Sequence, residues 1–126
     1  MKTKQQMVAE FMCTFNQNVR PSPSCIPPNE IELRYRLISE ELNELVDALN
    51  SHDIYEIADA IGDLLYVVYG AACACGIKID PIFNEIHRSN MTKRGGYINE
   101  YGKLVKPPTY EPPKLLPLID AQMKND

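Results

Sequence analysis

Two stretches of helical spacing, separated by only three residues, constrain this chain more than any other feature. The first carries Ile31, Tyr35, Ile38, Leu42, Leu45 and Leu49 in steps of four and three, the seam of a helix packed in a bundle. Asn29, with Glu32 three residues on, predicts its start as a capping box. The second runs from about Asp53 to Cys75, with Ile54, Ile57, Ile61, Leu64, Leu65 and Val68 on its main apolar face. Only Asn50, Ser51 and His52 lie between them, and so short a link makes the two helices antiparallel neighbours. From Leu64 onward the second is apolar almost all round, which predicts the central, most buried helix.

A helix from Lys4 to Asn18 should precede this pair, with Met7, Val8, Phe11 and Phe15 as its apolar stripe. It ends in RPSPSCIPPN, whose four prolines in eight residues forbid a regular helix and predict an ordered, extended connection. Gly76 stops the third helix. Asp80, followed by Pro81, starts a fourth, which carries Ile82, Phe83 and Ile86 and fades between Asn90 and Lys93. After Gly95 and Gly96 the segment KPPTYEPPKLLP, with five prolines, reads as an extended tail, and no strand is predicted. The expected fold is all-α in one domain: a four-helix bundle-type core over about 4–93 and an extended Pro-rich tail over 94–126.

A net charge of −4 argues against a nucleic acid polymer as partner, which usually needs a basic face. An acidic protein that binds phosphates then needs a cation or a local basic pocket. Cys73 and Cys75 are one residue apart on a helix and suit no common zinc spacing, so Cys13, Cys25, Cys73 and Cys75 are expected to be reduced and buried. The run MKTKQQMVAEFM lacks the apolar core of a secretion signal. The apolar stretch Leu64–Ile77 is too short for a bilayer. A cytoplasmic protein with no membrane partner is expected.

The chemistry rests on acids. At about 100° per residue, Leu33, Leu37, Glu41, Glu44 and Ala48 share one side of the second helix, with Glu40 beside them. On the third, Glu56, Asp59 and Asp63 fall at i, i+3 and i+7, nearly opposite its main apolar face. They share that side with Ala60, Val67 and Gly70, which a solvated face would not favour. Singly, each acid reads as solvated, and Glu56 also fits as the partner of a cap at Asp53. Jointly they conflict, because each pair at ~5–6 Å repels by about 3 kcal/mol at an effective dielectric of 20. A divalent cation removes the conflict, and carboxylate oxygens suit magnesium or manganese. A ferritin-like di-iron bundle would need Glu-x-x-His, but Asn84 stands three residues before His87.

SEELNEL followed by EIAD resembles the EExxE…ExxD signature of the all-α nucleoside triphosphate pyrophosphohydrolases, the MazG-like and phosphoribosyl-ATP pyrophosphohydrolase group. RLISEELNELVDAL, EIADAIGDLLYVVYG, GIKIDPIFNEIHRSNMTK and GKLVKPP extend the resemblance over roughly Leu33 to Pro108. It implies magnesium-dependent cleavage of a (deoxy)nucleoside triphosphate between the α and β phosphates, in house-cleaning or removal of dUTP-type nucleotides. Glu40 or Glu41, Glu44, Glu56 and Asp59 match the metal-binding carboxylates, and Asp63 stands one turn beyond as a further ligand or an orienting group. Of the two leading glutamates, Glu40 is assigned to the metal and Glu41 to the general base. Phosphate contacts are expected from Arg88, Ser89, Asn90, Thr92 and Lys93, with Lys106 from the tail, and base contacts from Phe15 and Asn16. The resemblance also implies a homodimer or dimer-based oligomer. The competing readings are a non-catalytic helical dimerisation module and a hydrolase of another diphosphate, such as a phosphoribosyl-nucleotide.

Overall fold

A computed structural model describes residues 1–124, and in it the regular elements are helices apart from one small hairpin. In order come α1 (Lys4–Thr14), α2 (Pro28–Ser51), α3 (Ile54–Ala74), α4 (Ile79–Met91), β1 (Tyr97–Ile98), β2 (Leu104–Val105) and α5 (Leu116–Met123). Two compact units result, one ending at Lys78 and one beginning at Ile79. The fourth helix is therefore grouped with the tail, where its spacing had suggested the bundle. Each unit is described by itself.

In the first unit, Thr3 caps α1: its hydroxyl accepts from the Gln6 amide and the Gln6 side chain accepts from the Thr3 amide. The helix stops at Thr14, short of the expected Asn18, and Asn16 takes a left-handed φ of 60°, a conformation asparagine tolerates better than most residues. α2 starts at Pro28 with Pro27 as its cap residue, so Asn29 lies inside the first turn and does not cap it. Proline at the first helical position already has the φ a helix needs. His52 turns the chain at φ 59°. Asp53 Oδ1 then accepts from the amides of Tyr55 (2.9 Å) and Glu56 (3.4 Å) and starts α3.

The core joins Val8 and Met12 of α1 to Cys73 and Ala74 of α3, with Val19, Ile26 and Tyr69 packed around them. The proline-rich connection docks on the end of α3. The Arg20 amide donates to the Cys73 carbonyl and the Ser24 amide to that of Cys75. The Arg20 guanidinium reaches the Ala74 carbonyl while forking onto Glu30 at 2.7 and 2.8 Å. These bonds occupy carbonyls that a helix end leaves open. Gly76, at φ 69°, lies so close under the Ser22 carbonyl that a Cβ would collide with it. Cys73 is buried as expected, but Cys13 and Cys25 are exposed, because α1 and the connection present those positions outward.

α2 and α3 pack against each other through their acid-bearing sides. Ala48 and Ala60, at 6% and 5% exposure, sit between them. The heptad-like seams face outward instead: Ile31, Tyr35, Leu42 and Leu49 of α2 and Ile54, Ile61, Leu65 and Val68 of α3 are all exposed. α3 is still the central and most buried helix, as expected: it packs against both α1 and α2, and Ala60, Gly70, Ala72, Cys73 and Ala74 are buried. Its length and composition alone would also allow a membrane crossing, which the stretch Leu64–Ile77 by itself had concealed. Glu56, Asp59 and Asp63 mark its other side for polar work.

The second unit holds α4 to the chain that follows it. α4 begins at Ile79, so Asp80 lies within its first turn rather than capping it. The tail is not uniformly extended. β1 and β2 pair antiparallel, Tyr97 with Val105 and Ile98 with Leu104. Asn99 Oδ1 accepts from the amides of Tyr101 and Lys103, and Gly102 takes a φ of 79°. A polar loop with glycine at its left-handed position is a hairpin signal, and NEYGK between two apolar pairs carried it. α5 follows with Pro117 in its first turn.

Candidate functional site

Glu41 and Glu44, one turn apart on α2, meet Asp63 of α3, and one carboxylate oxygen from each lies within 4.8 Å of the other two. Glu41 Oε2 is buried and accepts no hydrogen bond. Burial raises the Glu41 pKa above its usual value, reinforced by the charge of Glu44 and a hydrogen bond with it, then by Asp63 and Glu40. None of the ion pairs among the described residues includes these acids. A neighbouring hollow of about 310 Å³ is lined by Glu44, Asp47, Glu56 and Asp59 around Ala48 and Ala60. Glu44 belongs to both groups, so the two form one acidic strip along the α2–α3 seam.

Five of the six expected acids therefore lie in this strip. The sixth, Glu40, is exposed and bears on Glu41 through its charge alone. Asp47 was missed, although it stands at i+3 from Glu44, a spacing that shares a helix face. The donor set fits a hard divalent cation: oxygens only, closely spaced, with a buried lone pair left unmatched. That orphaned oxygen is costly unless something meets it.

A second cavity, about 250 Å³, opens beside the strip and shares Glu41 and Asp63 with it. Phe11 and Tyr66 form part of its wall, and Gln17 and Arg34 are its other polar lining residues. Phe15 and Asn16, expected to contact a base, are not among its lining. Because α1 ends at Thr14, Phe15 points outward with its ring 4.7 Å from that of Phe11, and Asn16 serves the turn. Phe11 and Gln17 line the cavity instead.

Of the expected phosphate ligands, Arg88, Ser89, Asn90, Thr92, Lys93 and Lys106 all belong to the second unit. Arg88 forks onto Glu85 at 2.7 and 2.8 Å and reaches Glu111 at 3.1 Å. Arg88 holds the Glu85 carboxyl down to about 2, helped by the Lys114 amide, which donates to it. Ser89 is buried, and its hydroxyl donates to the Glu111 carbonyl at 2.7 Å. The Thr92 hydroxyl accepts from the Glu111 amide. Lys93 and Lys106 lie over the Tyr110 ring, and Asn90 is exposed. Apart from Asn90, the whole set has a structural task, which is to bind the chain after the hairpin to α4.

Helices that pair through carboxylates beside a partly aromatic cavity present an all-oxygen donor set of the kind a hard divalent cation takes. The family model for phosphoribosyl-ATP pyrophosphohydrolase matches residues 8–90, and the chain belongs to that family, whose members are pyrophosphohydrolases of nucleotide-like substrates. It is also similar to an uncharacterised protein of Acanthamoeba polyphaga mimivirus, 42% identical over an 85-residue alignment that covers 62% of this chain. The matched region spans about a third (33%) of that relative's length.

Proposed function

We propose that this protein hydrolyses a nucleoside triphosphate between its α and β phosphates, releasing a monophosphate and pyrophosphate. The observation that carries the reading is the close approach of Glu41, Glu44 and Asp63, with a buried Glu41 oxygen left unmatched. Glu44, Glu56, Asp59 and Asp63 are placed to hold magnesium, or manganese, with Asp47 beside them. When bound, the cation supplies positive charge to the phosphates and acidifies the water it touches. Glu41, whose burial and acidic neighbours raise its hold on a proton, accepts the proton of the attacking water. The strip thus both binds and activates, which explains how an acidic chain handles an anionic substrate. Two copies of the chain associate in this reading, covering the exposed seams of α2 and α3.

The test is a panel of ribo- and deoxynucleoside triphosphates and a phosphoribosyl-nucleotide, with magnesium or manganese, scored for pyrophosphate. Glu44→Ala and Asp59→Ala are each expected to remove turnover while the helical circular-dichroism spectrum persists. Orthophosphate as first product, or tolerance of both substitutions, refutes the assignment. Turnover of the phosphoribosyl compound alone moves the activity to the family's eponymous substrate type.

A further inference from the structure

Among the described residues Arg34 is the only charged side chain that is buried, and the acidic strip does not use it. It is 7% exposed, its Nε has no hydrogen-bond partner, and it enters no ion pair among the described residues. The nearest acid, Glu30, is already held by both guanidinium nitrogens of Arg20. Only Nη2 is engaged, donating to Gln17 Oε1 at 2.6 Å. Burial works against the Arg34 charge and the charge of Glu30 only partly offsets it, so the fold holds a buried cation with no ion-pair partner of its own. Gly70 makes the room, since a Cβ there would come within 2.5 Å of Arg34 Nη1.

Arg34 lines the 250 Å³ cavity with Phe11, Tyr66 and Gln17, and the cavity runs on to Glu41 and Asp63. That volume is small for a ligand site, suited to a ring system rather than a whole nucleotide. A phosphate lodged here would face aromatic walls and two carboxylates. Phe11 and Tyr66 pack edge to face, their ring centroids 5.6 Å apart, so a planar heteroaromatic ring meets the face of one aromatic side chain and the edge of the other, with the Arg34 and Gln17 donors at its own edge. Arginine offers five N–H donors and no acceptor, so the edge it reads must carry an acceptor.

We propose that Arg34 is a specificity-determining residue that selects a base presenting a carbonyl oxygen over its amino counterpart: uracil or thymine over cytosine, guanine over adenine. The assignment rests on the pyrophosphohydrolase reading for the placement of the phosphates, which would lie along the acidic strip while the base enters the cavity. An amino group in place of the carbonyl sets donor against donor and leaves the buried guanidinium unmatched, the arrangement that rejects analogues most strongly.

The experiment compares binding of deoxyuridine and deoxycytidine monophosphates by calorimetry. It then compares kcat/KM for the corresponding triphosphates, and for GTP against ATP, with magnesium. The wild-type protein is expected to favour the carbonyl-bearing member of each pair by roughly 10- to 100-fold, as a good arginine–base contact discriminates. Arg34→Met should bring the ratios towards one. Gly70→Ala should do the same by displacing the guanidinium, and it carries the test should Arg34→Met not fold by circular dichroism. Pyrophosphate release with equal ratios in wild type and variant overturns the assignment and leaves the hydrolase reading standing. Arg34-dependent binding of the uridine nucleotide without pyrophosphate release does the reverse. Loss of self-association in Arg34→Met, with base preference unchanged, also overturns it, since Arg34 would then serve an interface.

Discussion

Replacing Glu41 by glutamine is expected to stabilise the metal-free protein while weakening its response to magnesium. The three carboxylate oxygens lie within 4.8 Å of one another. At that distance a like-charged pair costs about 0.9 kcal/mol in bulk water and about 3.5 kcal/mol at an effective dielectric of 20. Glu41→Gln removes two such pairs, with Glu44 and with Asp63, for a gain between roughly 2 and 7 kcal/mol on those figures. The lower end applies, because Glu44 is exposed and water screens the pair. For a chain of 126 residues, about 2 kcal/mol corresponds to a rise in Tm of roughly 5–10 °C.

The assay is a thermal melt at neutral pH, with chelator and then with millimolar magnesium. The wild type should gain stability from the metal, and Glu41→Gln should start higher and gain less. A pH series adds a second readout. The Glu41 pKa lies above its usual 4.5 in the folded state. Its contribution to stability is therefore intact below about 4.5 and lost as pH rises through the folded value. Metal-free wild type should weaken over that rise, and the variant should show a smaller slope. A Glu41→Gln protein that melts lower than wild type in chelator, or a wild type indifferent to magnesium, refutes the reasoning.

Two further outcomes follow from the structure. Glu85 titrates at about 2, held down chiefly by Arg88, so its contribution is present above about 4.5 and lost as pH falls through 2. The Lys114 amide resonance, whose donor bond ends on Glu85, should shift with a midpoint near 2, and a midpoint near 4.5 would break the account. Leu42 and Leu65, at 49% and 51% exposure, lie on the outward seams. Leu42→Glu with Leu65→Glu should turn a sedimenting dimer into a monomer of unchanged helicity, and no shift in sedimentation would show the seams to be covered otherwise.

Helix existence was readable from local chemistry. The spacing of Ile31 to Leu49, the three-residue link after Leu49 and the stop at Gly76 depend on neighbours in the chain. So did the pairing of acids across α2 and α3, because small residues beside Glu44 and Asp59 meant that those sides faced protein. The ends of helices were less readable. Pro28 displaced Asn29 as the start of α2, and Thr14 rather than Asn18 ended α1, which carried Phe15 and Asn16 away from the cavity. The hairpin at 97–105 was written in NEYGK and overlooked among the prolines.

What the sequence by itself determined was the presence of two acid-bearing helices bound to be neighbours, and from them the case for a divalent cation. Only the tertiary structure decided which faces met. Each helix had two apolar-containing sides, and periodicity does not rank them. Burial of Ala48 and Ala60 drew the acids into one strip along the α2–α3 seam and left the stronger apolar seams outside. The same packing buried Arg34 beneath Gly70, residues 36 positions apart whose relation is one of space. A buried guanidinium with no carboxylate bonded to it is a property of its surroundings, and no spacing along the chain encodes it.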